Sequence, residues 1–267
     1  MPSSLNRVES GKGATVVLVH GFPEFWHSWR KQIPALNAAG FRTIAIDLPG
    51  YNDSPKPREI EAYRLMNVVA QIASLIEEVG APVMLVGHDW GALASWFLAM
   101  TQPKLLTKLV ILNTPHPAAL AREMRRSRRQ RMNMLYQLFF WPPLLPEFLL
   151  PRLLPWLMPR MGRFTADEIR EYKRAWNKPG VPRGMANYYR AIRKYRGELR
   201  RLIAPIHIPT QLIWADREPV FTRPSSEDIE EWVPNLRVER VARAGHFVQT
   251  DQPEIVNEIL IRFLTNE

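Results

Sequence analysis

The sequence predicts an α/β fold in which helices cover both faces of a mostly parallel sheet, with a helical segment inserted into the core. Short runs rich in Val, Ile and Leu alternate along the chain with segments of helical periodicity, which is typical of βαβ units. The stretch 117–200 differs, because it is rich in Pro, Arg, Trp and Tyr and lacks strand patterning. We therefore predict a core of residues 1–116 and 201–267 and a helical cap of residues 117–200.

Each core element has its own local signal. The β-branched run 15–19 has no polar interruption, as expected of a strand buried on both faces. Gly40 and Gly80 follow segments of helical periodicity in the manner of C-terminal caps. The further predicted strands are 43–46, 83–86, 109–112, 211–214 and 237–241, and the predicted helices are 29–39, 63–79, 92–101 and 254–263.

The predicted cap is rich in prolines and aromatic residues. A cap of this kind roofs a pocket and excludes water, so its aromatic side chains are candidates for the substrate wall. These candidates are Phe139, Phe140, Trp141 and Trp156. Prolines are expected to break the cap helices repeatedly, at Pro142, Pro143, Pro146, Pro151, Pro155 and Pro159.

Composition excludes several classes of protein. The chain has no cysteine, which excludes disulfides, thiolate metal sites and a catalytic thiol, and favours a reducing compartment. It also has no run of about 18 apolar residues that could span a bilayer. A cytoplasmic location is therefore expected. We find no phosphate-cradling loop, dinucleotide fingerprint or metal-ligand cluster, so no cofactor and no metal are predicted.

The net charge of +10 raises the question of an anionic partner. The basic run 122–131 contains no aromatic stacking residues, and no nucleic-acid-binding motif surrounds it. We interpret this run as a solvated helix face and predict no nucleic-acid partner and no firm membrane association. The apolar stretch 136–156 leaves surface attachment to lipid as the minor alternative.

Residues 85–92 carry the strongest chemical signal. They read Leu-Val-Gly-His-Asp-Trp-Gly-Ala, an apolar run that breaks into a turn with Asp89 at its centre. This pattern indicates a nucleophile elbow, in which a strand turns sharply into a helix and the central side chain projects above the sheet. An aspartate, with an unperturbed pKa of about 3.9, is anionic at neutral pH and can attack saturated carbon to form an ester. The substrate should therefore be an epoxide or an alkyl halide. The competing interpretation is that Asp89 only caps the following helix.

Six short motifs follow one another along the chain. They are His20-Gly-Phe-Pro-Glu-Phe-Trp, Asp47-Leu-Pro-Gly-Tyr-Asn-Asp-Ser, Gly87-His-Asp-Trp-Gly, Asn113-Thr-Pro-His-Pro, Asn187-Tyr-Tyr-Arg and Gly245-His-Phe. Together they resemble the α/β-hydrolase fold, and within it the epoxide hydrolases and haloalkane dehalogenases that use an aspartate nucleophile. The family usually begins with two antiparallel strands, and only the second fits here, near Asn6 to Glu9.

The resemblance implies a base, an acid that orients it and two oxyanion donors. His246 occupies the position of the family's catalytic histidine. The family's spacing from the preceding strand favours Glu218 as its carboxylate partner, with Asp216 as the alternative. The backbone N–H groups of Phe22 and Trp90 are the expected oxyanion hole.

The leaving group distinguishes the two reactions. Opening an epoxide needs an acid, and Tyr189 occupies the place of the cap tyrosine in epoxide hydrolases. These enzymes typically use two tyrosines, and Phe139 stands at the position of the first. Tyr136 lies three residues earlier, would share a helix face with Phe139, and is the candidate replacement. The predicted substrate-binding residues are Tyr136, Phe139, Trp141 and Trp90.

Epoxide hydrolysis is the favoured reaction, and two alternatives stay open. A haloalkane dehalogenase would solvate the halide with Trp90 and a second N–H donor, for which Trp141, Trp156 and Trp176 are available. A non-catalytic member of the fold would bind a hydrophobic ligand or a membrane through its cap. The expected partners are a small hydrophobic epoxide or halogenated substrate and water, and the sequence allows a homodimer.

Overall fold

A computed structural model describes residues 5–266 and contains one seven-stranded sheet in the order β1-β3-β2-β4-β5-β6-β7. Neighbouring strands are parallel except β1, which pairs antiparallel with β3 at one edge. The predicted mostly parallel sheet is confirmed, and the segment near Asn6 to Glu9 contributes β1. The strands are β1 Arg7–Ser10, β2 Thr15–Val19, β3 Arg42–Ile46, β4 Val83–His88, β5 Leu106–Leu112, β6 Thr210–Ala215 and β7 Leu236–Val241.

Helices cover both faces of this sheet. Because side chains alternate along a strand, Val17 and Val19 pack into one core, while Val16 and Leu18 pack into the other. The α-helices are α1 Gln32–Ala38, α2 Leu65–Val79, α3 Trp90–Thr101, α4 Pro117–Arg126, α5 Arg128–Asn133, α6 Leu145–Met161, α7 Ala166–Trp176, α8 Val181–Leu199, α9 Val248–Asp251 and α10 Pro253–Thr265. Short 3-10 helices span Trp26–Trp29, Ile60–Tyr63, Pro103–Leu105, Leu135–Phe140, Arg200–Leu202 and Arg223–Ser226.

Helices α4 to α8 lie between β5 and β6, in the stretch for which the sequence predicts a cap. The expectation that prolines break these helices repeatedly is wrong for α6, which continues through Pro151, Pro155 and Pro159. These prolines lie four residues apart, so the missing N–H groups fall along one side of the helix while the other sides keep their hydrogen bonds. No helix within residues 5–266 has the length and apolar character needed to cross a bilayer.

Candidate active site

Asp89 lies in a sharp turn between β4 and α3. Its backbone has φ 49° and ψ −116°, in the positive-φ region that non-glycine residues rarely occupy. The turn requires small neighbours, because a Cβ on Gly91 would collide with the carbonyl oxygens of Val19 and His20. A Cβ on Gly87 would lie 2.6 Å from the Ser95 hydroxyl. The backbone of the turn therefore matches the elbow that the sequence predicts.

The Asp89 carboxylate makes two contacts that differ in kind. Its Oδ1 accepts a 2.7 Å hydrogen bond from the backbone N–H of Phe22. Its Oδ2 lies 3.7 Å from Nε2 of His246, which is longer than a direct hydrogen bond. Burial by itself would raise the pKa of Asp89, but His246, His88 and the Phe22 N–H outweigh it and lower that pKa. The carboxylate is therefore held in its anionic form.

His246 is oriented by Glu218. Its Nδ1 lies 2.9 Å from Oε2 of Glu218, and both side chains are buried. The other oxygen of Glu218 accepts a 2.7 Å hydrogen bond from the N–H of Val220, which fixes the carboxylate. Asp216, the alternative acid, is exposed at the end of the preceding strand. The structure thus brings Glu218 rather than Asp216 to the histidine.

The protonation of His246 depends on both carboxylates. Burial disfavours the imidazolium, but the negative charges of Glu218 and Asp89 outweigh this effect and raise the pKa of His246 well above its ordinary value. An ionised Asp89 therefore favours the protonated form of His246. Neutralising Asp89 would remove one of the two charges that hold this proton.

The two expected oxyanion donors are placed differently relative to the carboxylate. The N–H of Phe22 already contacts Asp89. Trp90 is the first residue of α3, so no carbonyl of the helix can accept its backbone N–H. One predicted donor is thus in contact with the carboxylate, and the other is free of helical hydrogen bonding.

Three buried polar residues support His246 and were not predicted as site residues. The Asn113 amide donates to the carbonyls of Gly245 and His246 at 2.9 and 2.8 Å, which ties the end of β5 to the histidine loop. His88 Nε2 lies 2.8 Å from the same His246 carbonyl, and His88 Nδ1 lies 3.1 Å from Glu24. Their positions in the sequence are the signal that could have found them. His88 and Asn113 stand at the ends of apolar strands, and Glu24 lies in the motif that begins at His20.

A cavity of about 510 Å³ opens beside Asp89. Trp90, Tyr136 and Thr114 line it near the carboxylate, and Arg125, Arg196 and Arg200 are its charged members. The rest of its wall is mainly apolar, from Leu93, Phe97, Leu120, Met124, Met134, Ile192, Leu199, Ile203 and Phe221. The cavity therefore suits an apolar molecule that presents a reactive carbon to Asp89.

Tyr189 and Tyr136 form an aromatic group next to Asp89. The Tyr189 ring stacks on Phe140 at 3.9 Å between centroids and lies edge-on to Trp90 at 5.1 Å. Tyr136 lies 5.9 Å from Tyr189, and because it lines the cavity, part of its exposed surface faces the cavity. Burial, with Asp89 nearby, raises the pKa of both phenols, so both remain protonated.

Two predicted substrate-binding residues lie away from this cavity. Phe139 packs against the core and is not part of the cavity wall. Trp141 lines a separate surface pocket with Arg58 and Arg183, where the Arg193 guanidinium covers its ring at 4.0 Å. The expected roles of Phe139 and Trp141 at the cavity are therefore not supported.

The haloalkane dehalogenase alternative needs a second N–H donor beside Trp90, and none of the three candidate tryptophans lines the cavity. The indole N–H of Trp90 is buried with no hydrogen-bond partner among residues 5–266. Trp176 donates its indole N–H to the carbonyl of Pro23 at 2.6 Å, and Trp156 is 56% exposed on α6.

Among the described residues, no group of three or more His, Asp or Glu side chains could hold a metal ion.

Comparisons with known proteins agree with this geometry. The family model for the alpha/beta hydrolase fold matches residues 14–142. The AB hydrolase superfamily protein YfhM of Bacillus subtilis is 35% identical over 263 residues, which span 96% of this chain and 91% of that protein. Mouse epoxide hydrolase 4 is 31% identical over 97% of this chain and 75% of its own length.

Solved structures give the same result. An epoxide hydrolase from Bacillus megaterium is 34% identical and superposes with a TM-score of 0.89 over 98% of this chain and 96% of its own. This chain belongs to the α/β-hydrolase family. Its relatives include epoxide hydrolases by sequence and by structure, and it is an epoxide-hydrolase-like enzyme of that fold.

Proposed function

We propose that this enzyme hydrolyses epoxides to vicinal diols through a covalent ester on Asp89. One observation carries the proposal: the Asp89 carboxylate is fixed by the Phe22 N–H and faces a histidine that is already bound to Glu218. A serine at this position would need a base to attack, whereas the carboxylate attacks directly. The histidine is then available for the second half of the reaction.

In the first step Oδ2 of Asp89 attacks an epoxide carbon, because Oδ1 is held by Phe22. A bond forms between the carboxylate oxygen and that carbon, and the carbon–oxygen bond of the ring breaks. The electron pair moves to the ring oxygen, which takes a proton from Tyr189 or Tyr136. The raised pKa of both phenols supports this role, because it keeps the proton in place until the alkoxide forms.

In the second step His246 activates water. The Asp89 ester is neutral, so the pKa of His246 falls and its proton passes to the tyrosinate. Neutral His246 then removes a proton from water, and the hydroxide attacks the ester carbonyl. The N–H groups of Phe22 and Trp90 stabilise the tetrahedral oxyanion. Cleavage of the acyl–oxygen bond releases the product as an alkoxide, which takes the acid proton of Asp89 to become the diol. The Asp89 carboxylate is thereby restored beside a charged His246.

The cavity supports a hydrophobic epoxide as the substrate. Its wall is mainly apolar, and its volume of about 510 Å³ accommodates a small aromatic or aliphatic group. The Bacillus megaterium enzyme, to which this chain is similar, has been solved with a naphthyloxy-propanediol product. We propose the same substrate class here, with residues 117–200 acting as a cap on the core of residues 1–116 and 201–267.

Heavy-oxygen labelling tests the covalent step. Enzyme in excess over a styrene-oxide-like substrate is allowed one turnover in oxygen-18 water. The peptide that contains Asp89 and the diol are then analysed separately by mass spectrometry. The hydrolysing water should leave its oxygen in the Asp89 carboxyl group, while the diol carries the original carboxylate oxygen. Label in the diol with none in the Asp89 peptide would show direct attack of water on the epoxide and refute the proposal.

A further inference from the structure

The exposed large hydrophobic side chains of this enzyme are concentrated in one segment. Twelve such residues within residues 5–266 are at least 38% exposed, and ten of them lie between residues 132 and 161. These ten are Met132, Leu135, Tyr136, Leu138, Leu144, Leu145, Phe148, Leu153, Trp156 and Met161. Apart from Tyr136, which lines the cavity, they lie on or beside α5, the 3-10 helix Leu135–Phe140 and α6, and this 3-10 helix contacts both α-helices. Their exposed side chains are here called the 132–161 surface. A patch of this kind marks an interaction site.

Helix α6 is apolar on both of its sides. Leu150, Leu154 and Met158, four residues apart, are buried against the rest of the protein. On the opposite side, Phe148 is 60% exposed and Trp156 is 56% exposed. A surface helix of a water-soluble domain normally places polar residues on its outer side. The outer side of α6 therefore exposes more apolar surface than the water-facing side of a helix normally does.

The charge around this surface has one sign. Residues 122–161 contain eight arginines and two glutamates, with no lysine or aspartate. Both glutamates are already neutralised, since Glu123 lies 3.3 Å from Arg122 and Glu147 lies 2.6 Å from Arg190. The arginines of α5 and of the end of α4 are exposed. The outward charge of the segment is therefore positive.

Arginine and aromatic side chains are paired on α6 itself. The Arg152 guanidinium lies 3.7 Å from the centre of the Phe148 ring, and the Arg160 guanidinium lies 4.0 Å from the Trp156 ring. Such a pair places an apolar ring and a cation at the same depth. Tryptophan and arginine with this arrangement suit the boundary between lipid headgroups and acyl chains.

We propose that the 132–161 surface docks the enzyme reversibly onto an anionic lipid bilayer. The apolar side chains would enter the headgroup boundary, and the arginines would contact lipid phosphates and carboxylates. A second copy of this chain is the less suitable occupant. A symmetric contact would place the same arginines of two copies against each other, with no free glutamate in the segment to neutralise them.

Docking would also bring the cavity towards the lipid. Met134, Tyr136 and Gln137 line the cavity beside Asp89, while Met132, Leu135 and Leu138 of the same stretch are exposed. This consequence rests on the proposed function, because it concerns how a hydrophobic epoxide would reach Asp89. The docking itself does not rest on the proposed function, because it depends only on the 132–161 surface and the arginines around it.

Vesicle binding tests the proposal. The full chain is sedimented with vesicles of phosphatidylcholine alone and with vesicles that contain about 30% phosphatidylserine. We expect binding to the anionic vesicles, weakened by added salt, and little binding to the neutral ones. The double variant Phe148→Gln/Trp156→Gln should lower the partition coefficient by about 100-fold or more, since each change removes a large apolar side chain from the lipid contact. Arg152→Gln/Arg160→Gln should lower it by roughly 30-fold, because each arginine near an anionic surface adds to the attraction.

Matched controls separate docking from folding and self-association. Ile255→Gln changes an exposed apolar residue outside the segment and should leave binding unchanged. The two α6 variants should keep the wild-type melting temperature and the wild-type turnover of a water-soluble epoxide. Failure to bind anionic vesicles, equal binding to neutral vesicles, or unchanged binding by the Phe148→Gln/Trp156→Gln variant would each overturn the proposal. So would a dimer in solution that this variant converts to a monomer.

Discussion

The carboxyl edge of the sheet and the helical insertion of residues 117–200 hold their site residues in different ways. At the sheet edge the reactive side chains are fixed by short polar contacts, 2.7 Å from Phe22 to Asp89 and 2.9 Å from Glu218 to His246. In the insertion, Tyr189 is held by ring contacts with Phe140 and Trp90. Polar contacts fix the direction of an atom, whereas ring contacts fix a shape and tolerate small shifts. Substitutions at the sheet edge should therefore cost more activity than substitutions in the insertion.

The largest loss is expected for Asp89→Ala. This change removes the attacking oxygen, so turnover of a styrene-oxide-like substrate should fall by about 10⁴-fold or more. The measurement is steady-state diol formation. Asp216→Ala is the matched control, because Asp216 is exposed and close to the acid that contacts His246, and it should stay within about twofold of wild type. A large loss in Asp216→Ala would show that the wrong carboxylate has been assigned.

His246→Gln should separate the two half-reactions. The variant keeps Asp89 and its Phe22 contact, so the epoxide should still alkylate the protein. Water activation is lost, and steady turnover should fall by about 10³-fold. Mass spectrometry of the intact protein should then show one added substrate, located on Asp89. Full turnover without an adduct would exclude His246 as the base.

The tyrosines of the insertion should matter less than either residue at the sheet edge. Tyr189→Phe removes one proton donor while Tyr136 remains, so kcat should fall by about 10²-fold. Tyr136→Phe should cost less, and the double variant should cost more than either. Phe139→Leu is the control, because Phe139 belongs to the same aromatic group of the insertion but has no hydroxyl to donate. Equal losses for Tyr189→Phe and Asp89→Ala would contradict the ranking of the two regions.

The junction of the two regions offers a smaller effect that depends on pH. His116 caps the start of α4, and burial lowers its pKa to about 4. Between pH 6.5 and pH 4 the unfolded chain binds a proton that the folded chain does not, so unfolding becomes easier as the pH falls. This contribution should reach roughly 2–3 kcal/mol at pH 4.5 relative to pH 7.

His116→Asn preserves a side chain that can cap the helix and removes the titration. Urea unfolding at the two pH values should therefore show a smaller loss of stability on acidification in the variant than in wild type. Any constant difference at both pH values reports the lost packing of the imidazole on Trp232. Identical pH dependence of the two proteins would show that His116 is not held neutral.

The sequence predicts the sheet edge better than the insertion. Apolar runs predict the strands, and the flanking glycines predict the turn at Asp89. Both are local signals in the sequence. The support of His246 by Asn113 and by the Glu24–His88 pair was not found, because these residues meet only after distant strands align. Two features of the insertion are not predicted: α6 continues through three prolines, and Trp141 lies away from the cavity under Arg193. Both depend on how the helices of the insertion pack together, which local sequence patterns do not reveal.

The absence of a side chain at Gly91 has a consequence beyond the tight turn. It lets α3 approach the backbone of β2 closely, where a Cβ would collide with the carbonyl oxygens of Val19 and His20. The amino-terminal end of α3, which carries a partial positive charge, therefore lies at the carboxyl edge of the sheet, directly next to Asp89. The electric field of the helix therefore favours negative charge at this point before any side chain contributes. In the proposed reaction it would stabilise the carboxylate first and the ester oxyanion afterwards, so a single helix end would assist both halves of the reaction.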